Sequence, residues 1–311
     1  MISKIMWKKI LFIIISLTTV IITVGGIAAY AFVSKVQVPA TESKQPSLPV
    51  PLVTINEPAE KNRINILLFG LDDGDPDNPG SPRRSDTMMV ASLNPADKTV
   101  NILSIPRDSK VNIPGRPGFD KITHAFFYGG PSLAVRTVEE NFHIPINYYI
   151  TIDWKAFIRV VDILGGVNLN VENDMNYDDP YENLSIHLNK GYQHLNGKQS
   201  GEYVRYRHDE LGDIGRVQRQ ENFLKALSSQ MLQAGTILKL PALITTIGQY
   251  IQTDMNMYTM AKIANLLKDM KADFLYCQMV PGDFATIDEL SYWLPDMAEL
   301  QKIVNSKFTN Q

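Results

Sequence analysis

From Ile10 to Val33 the chain carries no charged residue. Those 24 residues, at about 1.5 Å rise each, form a helix of about 36 Å, long enough for the ~30 Å hydrocarbon layer of a bilayer with some tilt. Lys4, Lys8 and Lys9 precede the run and only Lys35 follows closely, so the positive-inside bias places residues 1–9 in the cytoplasm and the rest outside. Trp7 and Tyr30 fall at the two interfaces. A cleaved signal peptide is the competing reading, because Ala29-Tyr30-Ala31 offers small residues at cleavage spacing, but the run exceeds the ~7–15 residues of an ordinary signal core. A buried soluble helix fits poorly, since the run has no polar face. Residues 34–60 then carry Pro39, Pro46, Pro49, Pro51 and Pro58, a density that blocks helix and favours an extended spacer.

The remaining residues, 61–311, suffice for one large domain. Lys and Arg number 30 against 33 Asp and Glu, a formal charge of −3, so nothing global attracts nucleic acid and none is expected as a partner. The single cysteine, Cys277, excludes an internal disulfide framework and a cysteine zinc site, which leaves oxygen or imidazole to hold any metal.

Short β-branched runs alternate with helix-period segments from residue 64 onward. Strands are expected at 64–71, 87–93, 100–105, 148–152, 167–171 and 274–280, and helices at 132–142, 155–164, 198–203, 216–233, 242–250, 257–271 and 296–305. The grammar is βαβ-like. It predicts a single extracytoplasmic α/β domain, with a mixed central β-sheet flanked by helices on both faces, behind one N-terminal transmembrane helix.

Phosphate-loop, dinucleotide, zincin and nucleophile-elbow motifs are all absent. The five histidines, His124, His143, His187, His194 and His208, have no metal-ligand spacing and read as surface or locally hydrogen-bonded groups. Arginines and aspartates at element ends are the unusual feature. Leu67-Leu68-Phe69-Gly70-Leu71 runs into Asp72 and Asp73, Arg84-Ser85-Asp86-Thr87 opens the next strand, and Ser104-Ile105-Pro106-Arg107-Asp108 closes the one after. Brought together, Asp72 and Asp86 are suited to share a magnesium ion, which takes one or two protein carboxylates and completes its shell with water and phosphate oxygens; a solvated acidic turn is the alternative. Arg205, Arg207, Arg216 and Arg219 crowd into fifteen residues with Asp209, Glu210 and Asp213 between them, and Arg216 and Gln220 share one face near a helix N-terminus. Guanidinium forks suit phosphate. The same charges also describe a surface helix laced with ion pairs.

The ordered set of these motifs resembles the LytR-CpsA-Psr family of bacterial cell-envelope proteins. The set comprises Asn65–Asp72, Arg84-Ser85-Asp86-Thr87 and Ser104–Asp108, then Lys121-Ile122-Thr123-His124-Ala125 with Gly129-Gly130, and Asp162 with Gly165-Gly166-Val167. It continues through Arg205-Tyr206-Arg207, Asp213–Arg216 and Arg219-Gln220 to Ser291-Tyr292-Trp293-Leu294 and Asp296. The resemblance implies a phosphotransferase that moves a glycopolymer from a polyprenyl-pyrophosphate carrier to peptidoglycan through a phosphodiester, with Mg2+ as cofactor. By position, Asp72 and Asp86 match the metal carboxylates. Arg84, Arg107, Arg205, Arg207, Arg216 and Gln220 match the pyrophosphate-binding set, Asp213 matches an acidic residue orienting that set, and Arg107, Asp86 and Asp213 are the implied catalytic residues. The acceptor would be the muramic acid 6-hydroxyl, with a carboxylate such as Asp108 as one candidate for its proton. Two departures stand out: Thr123 replaces the usual asparagine of its segment, and the acidic stretch 73–77 stands where an arginine is common. A non-enzymatic polyprenyl-phosphate scaffold and a pyrophosphatase are the alternative functions; a transcription attenuator fits poorly, because residues 1–9 cannot hold a helix-turn-helix.

Overall fold

The computed structural model describes residues 62–71, 82–179, 184–209, 212–231, 251–268 and 274–310. The expected anchor at 10–33, the spacer at 34–60, Asp72, the acidic stretch 73–77 and the expected helix at 242–250 lie outside them. No helix among the described residues is long and apolar enough to cross a membrane.

Three long strands, β1 (Ile64–Leu71), β2 (Ser85–Asn94) and β3 (Thr99–Ile105), form an antiparallel meander at the centre of the fold. β6 (Tyr148–Ile152) adds parallel to β1, β11 (Ile251–Thr253) antiparallel to β6, and β12 (Leu275–Met279) parallel to β3. The result is a six-stranded mixed sheet in the order β11-β6-β1-β2-β3-β12. Two-residue alternation divides its side chains between two cores. Leu67, Phe69, Met88, Val90, Leu103 and Ile105 face α1 (Thr123–Phe142) and α6 (Met297–Lys307), where they meet Phe126, Val138, Leu300 and Val304. Ile64, Ile66, Met89, Ala91, Leu93 and Ile102 face the other way, toward α5 (Met257–Lys268) and Leu224 of α4 (Gly212–Met231). Helices thus cover both faces, as the pattern predicts.

The βαβ expectation fails after β6. α2 (Trp154–Leu164) starts on the Asp153 cap, whose side chain accepts from Ala156 N–H, and ends at Gly165; β7 (Val167–Val171) then leaves the sheet and pairs antiparallel with β10 (Gly191–Leu195). The reason lies in its side chains. Val167, Leu169 and Val171 are buried while Asn168 and Asn170 are exposed, a one-sided alternation suited to an antiparallel ribbon with a wet face rather than to the interior of a parallel sheet. This ribbon, the hairpin of β8 (Met175–Asp179) and β9 (Leu184–Leu188), α2 and α3 (Gly197–Arg205) enclose a third apolar cluster around Tyr203 and Phe223. Two further hairpins, β4 (Lys110–Asn112) with β5 (Phe119–Lys121) and β13 (Gly282–Ile287) with β14 (Leu290–Pro295), extend beyond the sheet.

Helix bounds also differ from expectation. α1 consists of two helical pieces, 123–128 and 131–142, separated by the non-helical backbone of Gly129 and Gly130; the second is the helix expected at 132–142, and the first is unexpected. α4 begins at Gly212, not at 216, so Arg216 sits a full turn inside the helix.

Several motif residues prove to be architectural. Buried Asn65 donates from Nδ2 to Pro145 O and Phe308 O, both at 2.7 Å, tying β1 to the end of α6. Asp162 Oδ1 accepts from Gly197 N–H at 2.7 Å, and Asp296 caps α6 through Ala298 and Glu299 N–H.

Burial raises the pKa of Glu139, Glu202, Glu221 and Asp254 above the ordinary carboxylate range. For such groups the folded state binds more protons than the unfolded one, so stability is fully present below the unfolded pKa and declines as pH rises through the folded value. Glu221 illustrates the case: it accepts from Ser104 Oγ at 3.3 Å inside the α4–sheet interface. In urea titrations, Glu221→Gln is expected to weaken the decline in unfolding free energy from about pH 4.5 upward.

Candidate active site

The sheet topology brings three chain segments to one edge. Leu71, the last residue of β1, pairs with Ser85, the first of β2, and Ile105 at the end of β3 pairs with Met88. Asp86 and Thr87 therefore stand between the carboxyl ends of β1 and β3, where open α/β sheets place their ligands. Gly70 is required here: a Cβ on it would come within 2.9 Å of Thr87 Cβ.

Arg107, just past β3, donates from Nη1 to Asp86 Oδ1 at 2.9 Å. The pair is partly open, with 26% and 42% of the two side chains accessible. α4 approaches the same residues from the other side: Arg216 Nη2 lies 3.5 Å from Asp86 O, and Gln220 Nε2 donates to Thr87 Oγ1 at 3.1 Å. Gln220 also reaches Val204 O at 3.5 Å, which joins the end of α3, and with it Arg205, to the cluster. Three of the expected residues, Asp86, Arg107 and Arg216, thus meet directly, and Gln220 joins them through Thr87, the neighbour of Asp86. Arg216 is only 7% exposed, which excludes the reading of this segment as a solvated surface helix.

Arg205 ends α3, and Arg207 follows it in the α3–α4 connection. The Arg205 guanidinium lies 4.7 Å from the Trp154 ring, a cation–π contact, and Arg207 is exposed. Arg84, also exposed, lies 5.7 Å from the Phe127 ring. Asp213 is the second residue of α4; its side chain, like Asp72, lies outside the described part.

Arg219 is absent from the expected site set but holds the connection in place. It is 2% exposed, donates to Asp209 from Nη1 at 2.7 Å and also from Nη2, reaches Glu172 at 3.2 Å, and donates from Nε to Tyr206 O at 3.3 Å. A buried cation is tolerated only when paired in this way. Its i,i+3 spacing from Arg216 puts it on the inward side of α4, a periodicity visible in the sequence.

Thr123, the departure from the usual asparagine, makes a specific contact. Its Oγ1 donates to Ser85 O at 2.9 Å and its N–H to Arg107 O at 3.2 Å, clasping the start of β2 to the loop after β3. Asp108 is held between two cations, with Lys121 Nζ at 2.7 Å from Oδ1 and Arg107 Nε at 3.9 Å from Oδ2. A carboxylate so engaged orients its neighbours.

Two guanidinium groups on one aspartate, at the carboxyl ends of strands and open on one side, are suited to bind an anion such as phosphate. The LytR_cpsA_psr family profile matches residues 28–309, and the chain belongs to that family. It is 35% identical over 259 residues, 80% of this chain and 76% of the relative, to a protein of Oceanobacillus iheyensis named polyisoprenyl-teichoic acid–peptidoglycan teichoic acid transferase TagU. A Bacillus anthracis protein of the same name is 32% identical, with 98% of each chain covered. Among solved structures, Bacillus subtilis TagV aligns with a TM-score of 0.68 at 28% identity, covering 80% of this chain and 96% of TagV. TagT bound to LIIa-WTA aligns at 0.65 and 29%, covering 79% and 89%.

Gly201 packs so closely on Trp154 that a Cβ would lie 2.0 Å from the ring atom Cη2. Gly201→Ala is expected to cost about 1–3 kcal/mol in urea unfolding through overpacking. It should also displace the ring beneath Arg205 and weaken binding of a polyprenyl-pyrophosphate probe, measured by calorimetry.

Proposed function

We propose that this protein is a phosphotransferase that moves a glycopolymer, a teichoic acid in the first instance, from a polyprenyl-pyrophosphate carrier to peptidoglycan through a phosphodiester bond. The observation that carries the reading is the convergence of Arg107, Arg216 and Gln220 on Asp86 and Thr87 at one end of the sheet. Phosphoryl transfer asks the protein for positioning and charge neutralisation more than for covalent chemistry, and this cluster provides both. Arg84, Arg107, Arg205, Arg207 and Arg216, with Gln220, bind the pyrophosphate; Asp213 orients that set. The names of the relatives support teichoic acid as the cargo.

The donor set at Asp86 is of the right chemistry for Mg2+. Oδ1 accepts from Arg107, Oδ2 makes no hydrogen bond among the described residues, and the carboxylate is 42% accessible. Asp86 and Asp72, which directly follows the strand paired with Ser85, would hold the ion. Bound there, Mg2+ supplies neutralising charge to the pyrophosphate oxygens. The run at 10–33 anchors the chain in the membrane as a single pass with its C-terminal domain outside, and the proline-rich spacer holds the site within reach of a lipid-linked donor.

The test uses the full chain in detergent with a synthetic polyprenyl-pyrophosphate oligosaccharide, peptidoglycan fragments and Mg2+, with mass spectrometry reading the phosphodiester product. Wild type is expected to form it, and Arg107→Ala and Asp86→Ala to lower the rate by about 10²-fold or more. Donor binding without product under any Mg2+ condition would replace the enzyme with a scaffold. Phosphate release independent of peptidoglycan would make it a pyrophosphatase.

A further inference from the structure

An ionisable cluster at the edge of the arginine array plays no part in holding it. At the corner between β5 and α1, Asp120 Oδ1 lies 2.6 Å from His124 Nδ1 and accepts Lys121 N–H at 2.8 Å, while the Tyr128 hydroxyl donates to Oδ2 at 3.2 Å. Burial alone would raise the Asp120 pKa, but the His124, Lys121 and Tyr128 hydrogen bonds together hold it below the ordinary value. A carboxylate on Nδ1 keeps the imidazole proton there and leaves the Nε2 lone pair able to accept. Nε2 makes no hydrogen bond among the described residues, and the His124 side chain is 29% accessible.

The place of this pair in the fold decides its use. Thr123, adjacent to His124, is bonded to Ser85 O and Arg107 O, the backbone on either side of the Arg107–Asp86 pair. Phe127, three residues on and on the same face of the helix, carries Arg84. The first turn of α1, which carries His124, therefore borders the site on the side opposite α4. Asp108, the sequence candidate for the proton, faces two cations, with Oδ1 2.7 Å from Lys121 Nζ and Oδ2 3.9 Å from Arg107 Nε.

We propose that His124, oriented by Asp120, is the general base for the transfer, which rests on the reading of the site given above. The acceptor hydroxyl oxygen forms a bond to the phosphorus bearing the glycopolymer, the bond from that phosphorus to the bridging oxygen breaks, and polyprenyl monophosphate leaves with the bridging electron pair. The hydroxyl proton passes to His124 Nε2.

The assay described above, run on the full chain with His124→Ala, His124→Gln and Asp120→Asn, tests this beside calorimetric binding of the polyprenyl-pyrophosphate oligosaccharide and thermal melts. Both His124 variants are expected to lose about 10²-fold or more in transfer while binding the donor within threefold of wild type. Exogenous imidazole is expected to restore part of the His124→Ala rate, which a structural role would not allow. Asp120→Asn should fall about tenfold or more with donor affinity unchanged. The near-isosteric glutamine keeps the test decisive if the alanine variant does not fold. Transfer within threefold of wild type in the glutamine variant, loss of donor binding in proportion to transfer, or a folded alanine variant unresponsive to imidazole would each overturn the proposal. Absence of product from wild type would instead overturn the transferase reading, before any variant is compared.

Discussion

The Arg107–Asp86 pair sets the terms for the rest of the site. Arg107 and Arg216 bring two guanidinium groups to one end of the sheet, and these repel one another unless counter-charge is placed between them. Asp86 supplies it at the point where β1, β2 and β3 end together, and Arg107 orients it. The pair is only partly buried, so it avoids the heavy desolvation penalty of a sealed ion pair while keeping its geometry. Because the carboxylate belongs to a central strand packed on both faces, its position is inherited from the core.

That inheritance extends outward through polar contacts to the backbone. Thr123 clasps Ser85 to Arg107, Gln220 joins Thr87 to Val204, and Arg219 fastens the Tyr206 carbonyl and Asp209 under α4. Backbone carbonyls recur as the acceptors, so these contacts constrain the path of the loops carrying Arg205 and Arg207. On the reading proposed above, arginines held in this way are pre-organised for an anion, which lowers the entropy lost when the ligand binds.

Much of this was legible in the sequence because strands buried on both faces leave continuous apolar runs. β1, β2 and β3 lie within two residues of expectation, and the arginines at their ends follow from strand length alone. The region after residue 165 was less legible, because two-stranded ribbons such as β7–β10 depend on a partner some twenty residues away. The alternation of Asn168 and Asn170 with apolar neighbours was the available clue. Convergence could not be read at all: nothing local says that Gln220 meets Thr87, since that contact requires α4 to cross the sheet end. His124 reads from the sequence as a surface or locally hydrogen-bonded group, which it is, but its partner Asp120 lies on a short hairpin strand that the pattern does not reveal.

The two faces of the sheet are chemically unequal at this end. On the reading proposed here, α3, α4 and the segment between them bring Arg205, Arg207, Arg216 and Gln220 from one side, and the β5–α1 corner brings Asp120 and His124 from the other. Displacement at phosphorus requires the entering and leaving oxygens roughly in line. An array of fixed cations on one side favours departure of polyprenyl monophosphate there, because negative charge develops on its bridging oxygen. The approach from the α1 side is then left for a neutral hydroxyl, whose attack needs a proton acceptor. Helices on both faces of a mixed sheet, meeting where three strands end, are thus the minimum architecture that separates the two demands.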